Sequence, residues 1–345
     1  MSFLVIDGSQ GEGGGQVLRT ALTLSILTKT PIELVNIRAN RNRPGLLRQH
    51  LTSVKAAQEI SGAKTEGAEL GAKRIRFSPG NVKPGDYHFV IGTAGSTVLV
   101  AQTIFPVLAL ANSPSTVTFE GGTHNGMSPS LCFFKESYLA VLKKMGVNTK
   151  VDTHSLGFYP AGGGKWQLTI EPIEEFKALK LLTAGSDFEQ EQQNCSFKAL
   201  MSDLPDSIGQ KEVTAGRKAL SWNEAEGDVE RHKTNGPGNS FQTKIKGDVF
   251  TSLFEQVGEL EVSSERVAKR CVGRVKKFLK VGASVEEHLA DQLLLPMALA
   301  GQGEFTTTEP SMHTKTNIEV IEQFLDINIQ ASQEEEGRWR IKVSR

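Results

Sequence analysis

The chain has 345 residues, 38% hydrophobic and 23% charged, an ordinary globular composition with material for a large core and more than one domain. Lys plus Arg and Asp plus Glu each number 39, which excludes a chain-wide field drawing it to nucleic acid or membrane. Any polyanion site must therefore be a local cluster.

The N-terminal stretch reads as a strand over 3–6 followed by a turn, without the basic region and long apolar run of a signal peptide. A Gly-rich turn, Gly11 to Gly15, leads into a helix over 16–27 and a strand over 32–37. The helix over 46–60 carries Leu47, Leu51, Val54 and Ile60 on one stripe, and strands over 63–66 and 74–77 close the unit.

The same order then returns. A strand over 87–91 meets the small-residue turn Thr93-Ala94-Gly95-Ser96, and a helix runs on to about 111. That apolar run is broken by Gln102 and Pro106 and is too short to span a bilayer, so no membrane partner is expected. A strand over 116–120, a helix over 131–145 and strands over 149–153 and 165–170 complete the second unit.

A third copy is split. Its first strand is expected over 179–182 and its helix about a hundred residues later, over 285–300. Gln102-x-x-x-Pro106 and Gln292-x-x-x-Pro296 stand in the same frame of equivalent helices, and a Pro inside a helix costs a hydrogen bond. A strand over 304–307, a helix over 317–325 and strands over 327–331 and 339–343 follow. The chain thus reads as α/β (α+β), with three repeated βαβαββ units around a shared centre. The repeat domain covers 1–182 and 284–345, and a smaller α/β domain is inserted over 183–283.

Within the insert, 187–193 reads as an entry linker, followed by a strand over 195–201 and a helix over 211–220. After a loop come strands over 241–246 and 249–256 and a helix over 264–278. That helix bears Arg266, Lys269, Arg270, Arg274, Lys276 and Lys277, which suits a solvated face or a nucleic-acid contact. The cysteines, Cys132, Cys195 and Cys271, lack C-x-x-C spacing; free thiols in a reducing, cytoplasmic setting are expected and a zinc site is not.

Three constellations could carry chemistry. The first is Asp7-Gly8-x-Gln10-Gly11-Glu12-Gly13-Gly14-Gly15-Gln16-x-x-Arg19. Its glycines let backbone approach a ligand, Glu12 could hold a metal and Arg19 an oxyanion, although a purely structural turn reads the same way. It is neither a Walker A loop nor a dinucleotide fingerprint. The second is the run Arg38, Arg41, Arg43 and Arg48, with Gln49 and His50, which contains no acid. Guanidinium forks match phosphate oxygens, and the alternative is simple solvation. The third is a pair of histidines at equivalent strand ends, His124 and His313, with Thr316 or Asn317 available to cap the following helix. A loop histidine is either structural or, facing phosphorus, a competent nucleophile.

Together these motifs resemble the RNA 3′-terminal phosphate cyclase family. The resemblance is carried by DGSQGEGGGQVLRTALTLS, IRANRNRPGLLRQHLTSVKAA, GTAGSTVLVAQT, FEGGTHN, GFYPAGGG, HLADQLLLPMALAGQGEF and MHTKTN, which span most of the repeat domain. The insert matches loosely, through element order and the NGPGN loop. The resemblance implies repeats related to the C-terminal domain of translation initiation factor three and an insert of thioredoxin-like topology. It implies ATP as co-substrate, Mg²⁺ or Mn²⁺, and an RNA bearing a 3′-phosphate as partner; a homo-oligomer is compatible with it. The implied reaction passes AMP from ATP to a histidine, then to the RNA 3′-phosphate, and closes a 2′,3′-cyclic phosphate.

The resemblance makes His313 the adenylate carrier and Glu12 the metal contact. Arg19, Arg38, Arg41, Gln49 and His50 would hold phosphates or the RNA end. Gln102, Asp291 and Gln292 would contact the nucleotide, with Pro129 and Phe254 against the adenine. His288, expected with them at the nucleotide, stands where the family often has Tyr, and residues 126–130 are poorer in Pro than usual.

Three other functions compete. A non-catalytic ribosome-assembly relative would lack the nucleophilic histidine. An enolpyruvyl-type transferase would need a Lys-rich phosphate site and two similar halves. A plain RNA-binding module would show a basic balance and exposed aromatic motifs.

Overall fold

The computed structural model describes residues 2–182 and 194–345; the expected linker at 187–193 lies outside the described residues. The chain opens with β1 (Leu4–Asp7), α1 (Gly15–Thr28), β2 (Ile32–Val35), α2 (Arg48–Ser61), β3 (Lys64–Glu66) and β4 (Ile75–Ser78). The strands form a sheet ordered β1-β2-β4-β3, with β1 parallel to β2 and the other pairs antiparallel. The parallel pair requires a crossover, and α1 supplies it. Leu18, Leu22 and Ile26 recur at fourfold spacing along α1 and are fully buried. Gly62, in the left-handed region, ends α2 as such a residue commonly does.

Next come β5 (Asp86–Val90), α3 (Thr97–Ala109), β6 (Ser115–Gly121), β7 (Thr149–Ser155) and β8 (Gly164–Ile170), ordered β5-β6-β8-β7. Ser96 caps α3 by accepting from the Leu99 N–H. Between β6 and β7 a continuous helix is built from α4 (Leu131–Phe133), a π-helical turn (Phe134–Tyr138) and α5 (Leu139–Lys144). Such a turn often marks a functional site, and Phe133 and Tyr138 prove to line the cleft described below.

After β9 (Leu179–Leu181) the insert contains β10 (Cys195–Ser202), α6 (Asp206–Leu220), β11 (Glu226–Arg231), β12 (Gly238–Lys246), β13 (Thr251–Val257) and α7 (Ser264–Val281). Its sheet is ordered β11-β10-β12-β13. A separate core holds Phe197, Phe241, Val213, Cys271 and Val275 between this sheet and the two helices. Ser137 Oγ donating to the Thr251 carbonyl (2.6 Å) and Lys244 paired with Glu136 (2.7 Å) tie the insert to the π-helical turn.

The chain closes with α8 (Glu287–Ala300), β14 (Gln302–Thr307), α9 (Met312–Glu322), β15 (Asn328–Glu335) and β16 (Arg338–Ser344). These strands join β9 in the order β9-β14-β16-β15, with β9 parallel to β14. Three of the four sheets thus share one strand order. Pro106 and Pro296 both lie inside their helices, α3 and α8. Trp166, Phe77, Phe105, Phe119 and Phe305 are fully buried in the main core, each contributing about 1.5–3 kcal/mol or more of apolar burial.

Three elements differ from the expectations. Strand β11 reads as a loop in sequence because Glu226, Asp228, Glu230 and Arg231 leave no apolar alternation; it is an edge strand paired only with β10. Helix α6 begins at Asp206, ahead of residue 211, with Pro205 as N-cap. Helix α9 begins at Met312, ahead of 317, because the Ser311 hydroxyl accepts from the Thr314 N–H and caps it. His313 therefore sits in the first turn of a helix and not in a loop, and neither Thr316 nor Asn317 is the cap.

Candidate active site

A cleft of about 690 Å³ lies where α1, α2, α3, α8, α9 and β13 approach one another. The residues to which the family resemblance assigns a role all line it, Glu12, Arg19, Arg38, Arg41, Gln49, His50, Gln102, Pro129, Phe254, His288, Asp291, Gln292 and His313, whereas Arg43, Arg48 and His124 do not. Segments far apart in sequence thus converge. Helix α1 is the hub, packing on α2, α3 and α9. Thr20 Oγ1 donates to Asn317 Oδ1 (2.8 Å) and Thr23 Oγ1 to the Thr103 carbonyl (2.6 Å), fixing α1 against α9 and α3.

The Gly-rich turn before α1 has the geometry its composition suggests. Gly11 and Gly13 both have positive φ, and a Cβ on Gly11 would lie 1.9 Å from Thr316 Oγ1. At Gly15 a Cβ would meet His50 Nε2 at 2.4 Å, so only glycine lets α1 and α2 approach so closely. The backbone N–H of Glu12 is held by Thr316 Oγ1 (3.2 Å). The turn is therefore clamped to α9, the helix that carries His313.

His313 is half exposed and its Nδ1 lies 2.8 Å from Gln16 Oε1. The opposite end of Gln16, its Nε2, donates to Asp291 Oδ1, which also accepts from Asn317 Nδ2 at 3.3 Å. With two amide donors on it, Asp291 Oδ1 is an acceptor, which turns the Gln16 carbonyl towards His313. Nδ1 must then carry the proton, leaving the lone pair on Nε2. Glu12 Oε2 lies against the same Nδ1, and Glu12 Oε1 pairs with Arg41.

The electrostatics agree with a neutral ring. Burial lowers the His313 pKa; Asp291 opposes, while Arg19 and Arg41 lower it further. Burial raises the Asp291 carboxyl, with His313, Gln16 and Arg19 opposing. Burial also lowers Arg19 to about 10, still charged near neutrality. His50 is pushed down to about 3 by burial and by Arg19 and Arg38. Its Nδ1 accepts from the Leu47 N–H (3.2 Å), so the neutral ring caps α2.

Other expected residues have structural duties that the sequence did not reveal. Arg38 adopts a positive φ and donates to the carbonyls of Arg43 (2.5 Å) and Gly45 (2.9 Å), bracing its own loop. Gln49 Oε1 accepts from the Ser96 N–H (2.9 Å), joining α2 to the second small-residue turn and leaving the Gln49 amide NH₂ to the cleft. Gln102 donates to Gln292, and Gln292 Nε2 to the His288 carbonyl (3.0 Å), so the matched pair in α3 and α8 meet directly. His288 is exposed at the mouth, and Pro129 lies in the loop before α4.

One placement disagrees with expectation, and one histidine takes the structural of its two readings. Phe254 borders the cleft, but its ring is 5% exposed and packs on Phe278 at 5.4 Å in the insert core. Strand alternation turns its neighbours Leu253 and Glu255 the other way, so Phe254 is not presented as an open stacking platform. His124, the equivalent of His313 in position, is fully buried against Phe158 and 3.7 Å from Glu255, outside the cleft. Gln16, Asn317, Arg274 and Glu286 also line the cleft and had been missed as site residues; Gln16 stood in the Gly-rich motif, one position from the helix start. Among the described residues, no group of three His, Cys, Asp or Glu side chains could hold a metal. No helix of the described residues is long and apolar enough to cross a membrane.

A family model described as RNA 3′-terminal phosphate cyclase matches residues 10–331. The chain is similar to an RNA 3′-terminal phosphate cyclase of Koribacter versatilis (strain Ellin345), 46% identical over 336 residues, 97% of this chain and 93% of that protein. It is 43% identical over 342 residues to the one of Ectopseudomonas mendocina (strain ymp), covering 99% and 98% of the two chains. To that of Salmonella agona (strain SL483) it is 42% identical over 342 residues, covering 99% and 96%.

Proposed function

Because the chain belongs to the RNA 3′-terminal phosphate cyclase family, we propose that it converts an RNA 3′-phosphate to a 2′,3′-cyclic phosphate at the expense of ATP. The observation that carries this is the Gln16-held His313, neutral and half exposed, at the centre of an arginine-lined cleft. His313 Nε2 attacks the α-phosphorus of ATP, pyrophosphate leaves, and AMP is bound to the ring nitrogen. A 3′-phosphate oxygen of the RNA then takes the AMP and frees His313. The neighbouring 2′-hydroxyl attacks the activated phosphorus, AMP departs and the ring closes. Arg19, Arg38 and Arg41 neutralise phosphate charge, and the start of α1, whose Gly14, Gly15 and Gln16 line the cleft, adds the positive potential of a helix N-terminus. Gln49 and His50 are read as contacts to a phosphate or the RNA end; Gln102, Asp291, Gln292, His288 and Pro129 as the nucleoside pocket.

A divalent cation fits this site on chemical grounds. Glu12 Oε2 is buried and, although it lies against His313 Nδ1, accepts no well-directed hydrogen bond, and a single carboxylate suits Mg²⁺ or Mn²⁺ held mainly by substrate phosphates. Glu12 would hold the ion, which supplies charge neutralisation at the phosphates. The three like-ordered sheets are read as three copies of one βαβαββ unit (1–182 and 284–345), and 183–283 as an insert of thioredoxin-like topology. A reducing cytoplasmic setting suits the three free thiols.

Incubation with α-labelled ATP should tag the protein through an acid-labile, alkali-stable phosphoramidate. Equal tagging of His313→Ala, or an untagged wild type, would refute the mechanism.

A further inference from the structure

Two cationic surfaces adjoin the cleft, and the structure discriminates between them. On α7, Arg270 pairs with Glu259 (3.0 Å), Lys277 with Glu287 (3.4 Å), and Arg274 donates to the Glu255 carbonyl. Glu259, Glu261 and Glu265 crowd its N-terminal end. Arg266, Lys269 and Lys276 are exposed and, among the described residues, take part in no ion pair, but no exposed aromatic side chain accompanies them. The other surface is the outer side of the β2–α2 loop and the start of α2. There Arg43 and Arg48 are exposed and, among the described residues, take part in no ion pair.

Exposed apolar side chains gather at the same rim. Leu47 (38% exposed) and Met127 (93%) line the cleft mouth. Tyr159, 73% exposed, sits at the tip of a tight turn closed by the Gly162 N–H on the Phe158 carbonyl (2.7 Å). That turn rests on the Thr93-Ala94 loop: a Cβ on Gly162 would lie 3.0 Å from Ala94 Cα. The same loop abuts α2, since a Cβ on Gly92 would lie 3.8 Å from an Arg48 guanidinium nitrogen and Ser96 donates to Gln49. The turn bearing Tyr159, the Thr93 loop and the start of α2 thus form one continuous rim leading out of the cleft. An open aromatic on the same rim as unpaired arginines is a combination that grips single-stranded nucleic acid, by base stacking and phosphate contact without sequence readout.

We propose that this rim, Arg43, Arg48 and Tyr159 with Leu47 and Met127, is the docking track for the single-stranded RNA just upstream of the 3′-phosphate. The proposal rests on the cyclase function, for it is the cleft that fixes which end of the RNA lies inside. It makes recognition a matter of backbone and stacking, so that ends of differing sequence are accepted.

The test uses the full chain and fluorescence anisotropy with a 3′-phosphorylated octaribonucleotide, competed by a nucleoside 3′-phosphate. The octamer should bind more tightly than the nucleotide. Tyr159→Ala should weaken octamer binding about fivefold or more while Tyr159→Phe preserves it. Arg43→Ala with Arg48→Ala should weaken it too, and flatten the plot of log affinity against log salt by about 0.7 per arginine. Nucleotide binding and covalent labelling by ATP alone should remain at wild-type level, which also certifies folding. Arg266→Ala with Lys269→Ala and Lys276→Ala on α7 should leave octamer binding unchanged. Wild-type octamer affinity in the arginine double variant, or loss confined to the α7 variant, would overturn the track. Should wild-type protein fail to label with ATP, the cyclase function falls, and anisotropy still decides the surface.

Discussion

His50 offers a stability measurement that isolates one residue. Its ring accepts a hydrogen bond from the Leu47 N–H, and burial, then the charges of Arg19 and Arg38, push its pKa down to about 3 against 6.5 for a free imidazole. Above the free value both folded and unfolded chains are neutral here and the group contributes nothing. As pH falls from 6.5 towards 3 the unfolded chain takes up a proton that the folded chain refuses, so stability is lost across that window. Each pH unit costs about 1.4 kcal/mol, giving roughly 2 to 3 kcal/mol of loss by about pH 4.5. Glutamine at this position keeps an acceptor for the helix cap and does not titrate. Urea denaturation from about pH 7.5 to 4.5 should therefore show a shallower acid decline for His50→Gln than for wild type. His124 and His313, also depressed, are common to both proteins and cancel. Parallel declines in the two proteins would refute the account of His50 as a neutral, buried cap.

Two further outcomes are expected elsewhere. Glu212 is buried in the insert with Oε2 unpartnered, and burial raises its carboxyl to about 7 while the Asn239 amide opposes. The folded chain thus keeps a proton that the unfolded one releases between 4.5 and 7, so stability falls as pH rises through that range. Glu212→Gln should stabilise by up to about 3 kcal/mol at pH 8 and by almost nothing at pH 4 in urea melts; equal effects at both would contradict this. Gln16→Leu should remain folded yet slow single-turnover labelling by ATP about tenfold or more, because the His313 Nδ1–H loses one of the two acceptors that hold the ring, leaving only Glu12. The pH dependence of labelling should shift with it, and an unchanged profile would make Gln16 merely a packing residue.

Local pattern alone was enough for much of the molecule. Amphipathic spacing at Leu18, Leu22 and Ile26, glycines where φ must be positive, and prolines matched in frame at Pro106 and Pro296 fix helices and turns by short-range sterics and burial. The residue types of the cleft were legible for the same reason, since arginine runs and Gly-rich turns announce themselves within a dozen positions. Tertiary structure decided the rest. Only folding brings Gln16 of α1 between His313 and Asp291, nearly three hundred residues away, and so settles which imidazole nitrogen is free. Only packing buries His124 and Phe254 while leaving His313 half open, although sequence gives the two histidines equivalent positions. Strand β11 needed a partner to exist at all, because its charged residues carry no period of their own. Periodicity is a local property of the chain; a side chain's protonation, exposure and partner belong to the space between elements.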